Sequence, residues 1–287
     1  MRDVLTELLQ LLRLERIEEN LFRGQSQDLG WGAIFGGQVL GQALSAASQT
    51  VPPDRVVHSM HAYFLRQGDA SRPVVFEVDR IRDGGSFTTR RVVAVQGGQP
   101  IFSLATSFQG EEPGFDHGTT CPDVPPPEGL ASEQELAHRI ADRIPEFFRK
   151  MALADRPIEI RPVQVVNHLS PKKMEARRQL WYRANGALPD DPAVHRALLA
   201  YASDFNFLTT AMLPHGVSWL TPGMQVTSLD HAMWFHRPFR FDEWLLYDLD
   251  SPSASSSRGL VHGRFYTRDG QLVASVTQEG LMRDRRG

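Results

Sequence analysis

The helix pattern that decides the fold is Gly36-Gly37-Gln38-Val39-Leu40-Gly41-Gln42-Ala43-Leu44-Ser45-Ala46-Ala47, in which small side chains outnumber large ones. Such thin side chains let a helix lie close against a sheet. Directly after it the hydrophobic period changes to two, which predicts strands at residues 57–65, 73–81, 87–95 and 100–108. Glycine-containing turns separate these strands. The first half is therefore predicted to be one helix followed by an antiparallel meander.

The second half of the chain repeats this pattern. A strand is predicted at 179–183, and a helix begins with Asp191 as N-cap and Pro192 in its first turn and runs toward Met212. Strands are predicted at 226–236, 244–249, 260–266 and 272–279. Phe64 and Phe235 are separated by 171 residues, and so are Arg66 and Arg237. This repetition predicts an α+β tandem (double) hot-dog fold, with two antiparallel sheets that each wrap a central helix.

A change of composition separates the two repeats. Five prolines lie within residues 111–130, which is typical of a linker, and a capping box from Ser132 to Glu135 then begins a helix with a kink at Pro145. The predicted organisation is an N-terminal hot-dog repeat at 1–110, a proline-rich linker and connecting helix at 111–157, and a C-terminal hot-dog repeat at 158–287.

Composition excludes several classes of protein. The 287 residues include 31 Lys or Arg, 34 Asp or Glu and one cysteine, Cys121, so neither a disulfide framework nor a cysteine-based zinc site is expected. The near-neutral charge argues against nucleic-acid binding, and no apolar run is long enough for membrane insertion. No signal peptide is recognised, so we expect a cytoplasmic protein. Nucleotide-binding fingerprints are absent, and the closely spaced histidines would point to opposite faces of strands, so we expect no cofactor and no metal.

Three polar residues are candidates for chemistry. Asp204 is a lone carboxylate in the apolar and aromatic run 198–208, where a charge is costly unless it has a use. A local cap or a structural hydrogen bond through Ser203 or Asn206 is the alternative interpretation. Ser228 at a strand start and Gln278 at a strand end are, taken alone, ordinary strand residues.

Sequence segments in both halves strengthen the case that these three residues form a functional site. They are Leu21-Phe22-Arg23-Gly24-Gln25-Ser26, Phe35-Gly36-Gly37-Gln38-Val39, His58-Ser59-Met60-His61-Ala62-Tyr63-Phe64-Leu65-Arg66, Gly85-Ser86-Phe87 with Arg90-Arg91, Tyr201-Ala202-Ser203-Asp204, Leu229-Asp230-His231-Ala232-Met233-Trp234-Phe235-His236, and Gln278-Glu279-Gly280. In these segments the chain resembles the bacterial acyl-CoA thioesterase II family (TesB type) from end to end. The resemblance implies a double hot-dog fold that hydrolyses fatty acyl-CoA to free acid and CoA without metal or cofactor.

The family's water-activating trio is similar to Asp204, Ser228 and Gln278. In that reading Asp204 is the general base, and Ser228 and Gln278 position the water. The hydroxyl position looks like threonine in the best-known members, so Ser228 lacks the methyl group that restricts the rotamer. Gly36-Gly37-Gln38 stands in place of Asp204 in the short helix of the first repeat, which predicts one active site per chain. His58 is a possible secondary site residue, with a structural or substrate-positioning role as the alternative.

Substrate binding requires cations for the CoA phosphates and backbone N–H groups for the thioester oxygen. The predicted substrate-binding residues are Gly37, Gln38, Arg66, Arg91 and Arg237. The predicted function is hydrolysis of medium- or long-chain acyl-CoA. The alternatives are a hot-dog acyl-thioester hydratase and a non-catalytic acyl-CoA-binding sensor. Exposed sheet edges and the resemblance predict a homo-oligomer, a dimer or a tetramer.

Overall fold

The computed structural model describes residues 3–30 and 32–286. The helices are α1 Val4–Leu12, α2 Gly36–Ser48, α3 Glu133–Arg139, α4 Glu146–Ala152, α5 Pro192–Ser203 and α6 Phe207–Met212. The strands are β1 Glu15–Glu18, β2 Leu21–Gly24, β3 Val56–Phe64, β4 Val74–Asp83, β5 Phe87–Gln96, β6 Gln99–Gln109, β7 Ile158–Pro162, β8 Arg177–Ala184, β9 Met224–Ser228, β10 Asp230–Phe235, β11 Leu245–Ser255, β12 Arg258–Thr267 and β13 Leu272–Asp284.

The two predicted N-caps are confirmed at the level of single hydrogen bonds. The Asp191 side chain accepts from the Ala193 N–H, with Pro192 at the first helical position. The Ser132 Oγ accepts from the Glu135 N–H at 3.1 Å, and the Glu135 carboxylate accepts from the Ser132 N–H at 2.7 Å, which completes the capping box. The local sequence therefore sets where α3 and α5 begin.

Two helices end earlier than the sequence predicts. The connecting helix does not continue through a kink: α3 ends at Arg139, and α4 begins at Glu146. Pro145 lacks an N–H and disfavours helical backbone in the residue before it, so the helix is interrupted. The helix predicted to run toward Met212 divides into α5 and α6, because Asn206 adopts the left-handed conformation with φ 64°.

The first compact unit comprises Met1–Gly118, Leu188–Phe205 and Ala232–Arg240. Its antiparallel strands follow the order β1-β2-β4-β5-β6-β3. Helix α2 packs on β3 to β6 and buries its apolar side chains completely or nearly so, and α5 lies along α2. The small residues of α2, which predict close packing against a sheet, thus pack against both the strands and a second helix.

The second compact unit comprises Thr119–Ala187, Asn206–His231 and Phe241–Gly287. Its strands follow the order β13-β12-β11-β8-β7, with β9 paired to the C-terminal part of β13, and all pairs are antiparallel. Helix α6 packs on β11, β12 and β13. The rings of Tyr247 and Phe265 stack at 3.8 Å between centroids in the core beneath it.

Neither compact unit is a continuous half of the chain, because each is built from three separate segments. Helix α5, which the sequence assigns to the C-terminal repeat, belongs to the first unit, whereas α6 packs on the strands of the second unit. The predicted boundaries at residues 110 and 157 are placed by internal repetition of the sequence, whereas the two compact units are defined by contacts. The predicted boundaries therefore stay a prediction. In the part of the chain that the structure describes, no helix is long and apolar enough to cross a membrane.

Candidate functional site

Asp204 lies at the break between α5 and α6. It is the C-terminal capping residue of α5, with φ −79° and ψ −14°, and it is partly buried. Aromatic rings pack beside it in the first unit: Phe35 stacks on Phe205 at 4.3 Å between centroids and meets Tyr201 edge-on at 5.4 Å. Aromatic rings therefore flank the turn that carries the carboxylate.

Gly36 lets the carboxylate approach the start of α2. A Cβ atom on Gly36 would lie 2.6 Å from the Asp204 Oδ2 and 3.0 Å from Cε1 of Phe64. Real Cβ atoms essentially never come this close to another heavy atom. The absence of a side chain at position 36 is thus a steric condition for the observed position of Asp204.

Helices α2 and α5 run antiparallel to each other. A Cβ on Gly37 would lie 2.2 Å from the Tyr201 carbonyl oxygen, and a Cβ on Gly41 would lie 3.0 Å from that of Ala197. Gly36 therefore starts one helix, whereas Asp204 ends the other. Asp204 also lies three residues before the first residue of α6, so the interpretation that Gly36-Gly37-Gln38 stands in its place in the first repeat stays a prediction.

The start of α2 is electrostatically suited to a negative charge. The first N–H groups of a helix have no intrahelical acceptor, and the N-cap Phe35 has no side-chain oxygen to offer them. The aligned peptide dipoles place partial positive charge at this end of the helix. Asp204 and any oxygen that gains negative charge beside Gly36 would both be stabilised there.

Ser228 and Gln278 are brought together in the second unit. Gly280 on β13 pairs with Ser228 on β9, and the Gln278 Nε2 donates to the Ser228 Oγ at 2.7 Å. Gln278 is 1% exposed, and its Oε1 lies 2.6 Å from Nδ1 of His231, which is fully buried. The amide of Gln278 and the hydroxyl of Ser228 are thus hydrogen-bonded neighbours, and the His231 ring is a third member of the group.

Asn206, for which the sequence suggests only a structural hydrogen bond near Asp204, is held by side chains that are distant in the chain. Its Oδ1 accepts from Nη1 of the buried Arg178 at 2.6 Å, and its Nδ2 donates to the Glu133 Oε1 at 3.1 Å and to the Tyr182 hydroxyl at 3.2 Å. These bonds hold the left-handed residue that directly follows Asp204-Phe205. The available signal was the tolerance of asparagine for left-handed backbone.

His58 has a partner within the first unit. Its Nε2 lies 2.9 Å from the Ser107 Oγ, and its ring meets that of Phe87 edge-on. Burial lowers the pKa of His58, so the neutral ring is favoured. This arrangement is what a structural histidine requires, while its role as a secondary site residue stays a prediction.

The two predicted substrate-binding residues of α2 have structural duties. Gly37 allows the close approach of α5 described above. Gln38 is buried; its Oε1 accepts from the Gln27 N–H at 3.0 Å, and its Nε2 donates to the Gln25 carbonyl and to the Gln42 Oε1. Its side-chain amide fastens the segment before α2, so a contact with substrate would involve the backbone.

The three predicted arginines are all bonded within the first unit. Arg66 donates to the Pro100 carbonyl at 2.8 Å, and the exposed Arg91 pairs with Asp79 at 2.9 Å. Arg237 pairs with Asp116 and donates to the His117 carbonyl at 2.8 Å. Any role of these guanidinium groups in phosphate binding stays a prediction.

Comparisons with known proteins cover the whole chain. A family model described as acyl-CoA thioesterase matches residues 147–281, and one described as acyl-CoA thioesterase N-terminal domain matches residues 26–109. The chain is 42% identical to acyl-CoA thioesterase 2 of Haemophilus influenzae over 283 residues, which is 99% of either chain. It is 44% identical to the crystal structure of acyl-CoA thioesterase II TesB2 from Mycobacterium marinum, with a TM-score of 0.79 over 98% of this chain and 99% of the other.

A more distant solved structure supports the fold. It is a protein from Alicyclobacillus acidocaldarius whose title describes a hot dog fold; it is 18% identical, with a TM-score of 0.75 over 96% of this chain and 98% of that one. The predicted hot-dog fold class is confirmed by these neighbours. The chain belongs to the acyl-CoA thioesterase family.

Proposed function

We propose that this chain hydrolyses medium- or long-chain acyl-CoA to free fatty acid and CoA with a water activated by Asp204. Family membership supports acyl-CoA hydrolysis over the hydratase and sensor alternatives. The observation that carries the proposed base is the position of Asp204 at a helix break, with its Oδ2 against the first turn of α2. A helix end leaves the side chain outside the regular packing of the helix face.

In the proposed reaction Asp204 accepts a proton from water while the water oxygen attacks the thioester carbonyl carbon. The carbonyl oxygen takes up the negative charge, which N–H groups at the start of α2 would stabilise. The tetrahedral intermediate then reforms the carbonyl and breaks the carbon–sulfur bond. The CoA thiolate receives the proton held by Asp204, so the products are the free acid and the thiol.

Ser228 and Gln278 are proposed to position the reacting oxygen atoms. Their mutual hydrogen bond of 2.7 Å fixes both side chains in one arrangement. The family resemblance is what groups them with Asp204. Serine lacks the methyl group with which threonine restricts its own rotamer, and the bond to Gln278 restricts the Ser228 side chain instead.

The remaining proposals concern binding and assembly. We propose Gly37 and Gln38, through their backbone, and Arg66, Arg91 and Arg237 as substrate-binding residues, with His58 in a secondary role. Binding of CoA phosphates would require the arginines to exchange their present partners for the ligand. The chain is further proposed to work in the cytoplasm as a homodimer or homotetramer.

The decisive experiment is thiol release from a series of acyl-CoA chain lengths. Asp204→Asn should lower kcat at least about a hundredfold while the protein stays folded. The matched control is Asp191→Asn at the opposite end of α5, because asparagine caps a helix as well as aspartate does. Wild-type turnover by Asp204→Asn would refute the proposed base. Absence of thiol release by the unmodified protein would favour a hydratase or, if acyl-CoA is bound without turnover, a sensor.

A further inference from the structure

We propose that Asp230 is a positioning residue whose carboxylate fixes the backbone at Gln278 and thereby the arrangement of Gln278 and Ser228. This inference rests on the proposed function, because it concerns the two residues that are proposed to position the reacting oxygens. It goes beyond that function in naming the side chain that holds the backbone of this pair in place.

The argument begins where β9 ends. Ser228 is the last residue of β9 and pairs with Gly280 on β13, so the next pair of the ladder is Leu229 with Glu279. Antiparallel pairs alternate between those that exchange two backbone hydrogen bonds and those that exchange none. Leu229 and Glu279 make one of the two bonds, in which the Leu229 N–H donates to the Glu279 carbonyl at 3.0 Å.

The side chain of Asp230 takes the second bond. The Glu279 N–H donates to Asp230 Oδ1 at 2.7 Å instead of to the Leu229 carbonyl. A carboxylate oxygen thus has the place that a main-chain carbonyl has in a regular ladder. This exchange occurs at Leu229, the residue that separates β9 from β10.

The two bonds hold the peptide groups beside the proposed positioning pair. The Leu229 N–H belongs to the planar peptide group that follows Ser228, and the Glu279 N–H belongs to the one that follows Gln278. Each bond therefore fixes the backbone from which one of the two side chains projects. The Gln278 Nε2 donates to the Ser228 Oγ at 2.7 Å, and a hydrogen bond of this length tolerates little displacement of either backbone.

Without the carboxylate the Glu279 N–H would have to change its surroundings. It would lose its acceptor, which is costly, or it would turn toward the Leu229 carbonyl and close the regular ladder. Both changes rotate the peptide group that follows Gln278. Asp230 thus acts through the backbone of Gln278, without touching the reacting atoms itself.

Substitutions at Asp230 can separate the position of the acceptor from the charge. Asp230→Asn keeps Oδ1 and removes the charge, whereas Asp230→Glu keeps the charge and moves the acceptor by one methylene group. Asp230→Ala removes both. Among the described residues Oδ2 of Asp230 makes no hydrogen bond, so the amide nitrogen of asparagine can replace it without breaking one.

The first test is hydrogen exchange of backbone amides, measured by NMR on the full-length protein. Relative to the other amides of β13, we expect the Glu279 N–H to exchange at least about 10-fold faster in Asp230→Ala and within about threefold of the unmodified rate in Asp230→Asn. Unchanged exchange in Asp230→Ala would overturn the inference, because the carboxylate would then not hold this peptide group.

The second test is kinetic. We expect Asp230→Ala and Asp230→Glu to lower kcat about 10- to 100-fold with KM within about twofold, and Asp230→Asn to stay within about threefold of the unmodified kcat. If Asp230→Ala does not fold, the comparison of Asp230→Asn with Asp230→Glu decides. Wild-type kcat in Asp230→Ala, or a lower kcat in Asp230→Asn than in Asp230→Glu, would overturn the inference.

The matched control is Asp284→Ala at the end of β13. It removes another carboxylate that accepts a backbone N–H, that of Arg286 at 3.0 Å, and it should leave kcat unchanged. An equal loss in this variant would show a general effect of weakening β13 and would overturn the inference.

A double-mutant cycle separates this inference from the proposed function. If Asp230 acts through Gln278, adding Asp230→Ala to Gln278→Ala should lower kcat by less than about a further twofold. A further loss as large as in the unmodified protein would overturn the inference. By contrast, wild-type kcat in both Gln278→Ala and Ser228→Ala would refute the proposed roles of that pair, whatever Asp230 does.

Discussion

Gly36→Ala is the substitution that best tests the placement of the proposed base. The new Cβ would lie 2.6 Å from the Asp204 Oδ2, whereas ordinary contact begins at 3.4 Å, so the carboxylate must retreat by about 0.8 Å. A displacement of about 1 Å from a productive geometry can cost roughly a hundredfold in rate. We therefore expect kcat to fall about 30-fold, which corresponds to about 2 kcal/mol of activation free energy.

The same substitution should change the free energy of unfolding only slightly. Alanine is favoured over glycine within a helix by up to about 1 kcal/mol, and the contact of 3.0 Å with Phe64 offsets part of this gain. Thiol-release kinetics gives kcat, and urea unfolding gives the stability of the same preparation. The loss of activity should thus appear without a comparable loss of stability.

Gly41→Ala on the same helix provides the matched control. Its Cβ would lie 2.9 Å from a methyl carbon of Leu12 and 3.0 Å from the Ala197 carbonyl oxygen, away from Asp204. It should lower stability by about 1–3 kcal/mol through overpacking and leave kcat of the folded protein unchanged. The reasoning is refuted if Gly36→Ala keeps wild-type kcat, or if both alanine variants lose activity in proportion to stability.

Three further outcomes concern stability and are measured by urea unfolding. Arg90→Met should lower the free energy of unfolding by about 2–4 kcal/mol, because this 1% exposed guanidinium donates hydrogen bonds to four groups besides Asp83. Loss of the exposed Arg91, which pairs with Asp79, should lower it by under about 1 kcal/mol. Equal losses for the two variants would contradict this reasoning. Asn206→Ala should destabilise by about 1 kcal/mol more than Asn206→Gly, since alanine resists φ 64°, and no difference would argue against strain. Burial and then Arg178 lower the pKa of His168 from 6.5 to about 4, so the unfolded chain binds the proton first. Stability should fall by up to about 3 kcal/mol between pH 6.5 and 4, and a His168→Asn variant with the same acid loss would refute this.

Local sequence patterns predict the helices and strands that are specified by hydrophobic period and capping residues. The period-two runs became β3 to β6, and the capping residues Ser132 and Asp191 began helices as expected. The sequence does not predict the break after Ser203, because residues 204–206 contain neither glycine nor proline, the usual signals of a helix end. The bonds that hold Asn206 come from Arg178, Tyr182 and Glu133, which are 24 to 73 residues away, and no local pattern reports them.

The residues of the candidate site can be predicted from the sequence, but their spatial arrangement cannot. Asp204 stood out as a charge in an apolar run, and Ser228 and Gln278 were reached only through the family resemblance. The contact of Asp204 with the first turn of α2 depends on the direction in which α5 crosses that helix, which hydrophobic periodicity does not encode. The contact of His231 is likewise not encoded locally, since its partner Gln278 lies 47 residues further along the chain.

The helix break gives the carboxylate of Asp204 a position between two helices in an otherwise apolar segment. Gly37 and Gly41 let α5 pack closely on α2, while Gly280 lets α6 lie close to β13, where a Cβ would come within 2.4 Å of Leu208. Helix α5 thus packs on α2 and helix α6 packs on β13, and the residues between the two helices are not held by helical packing. Asp204 lies on the α5 side of these residues, and the Asn206 bonds fix the other side. A helix running unbroken through residue 204 would place the carboxylate within a packed surface, where burying a charge is costly. The turn between α5 and α6 instead holds the carboxylate beside the first turn of α2, the position that the proposed role as base requires.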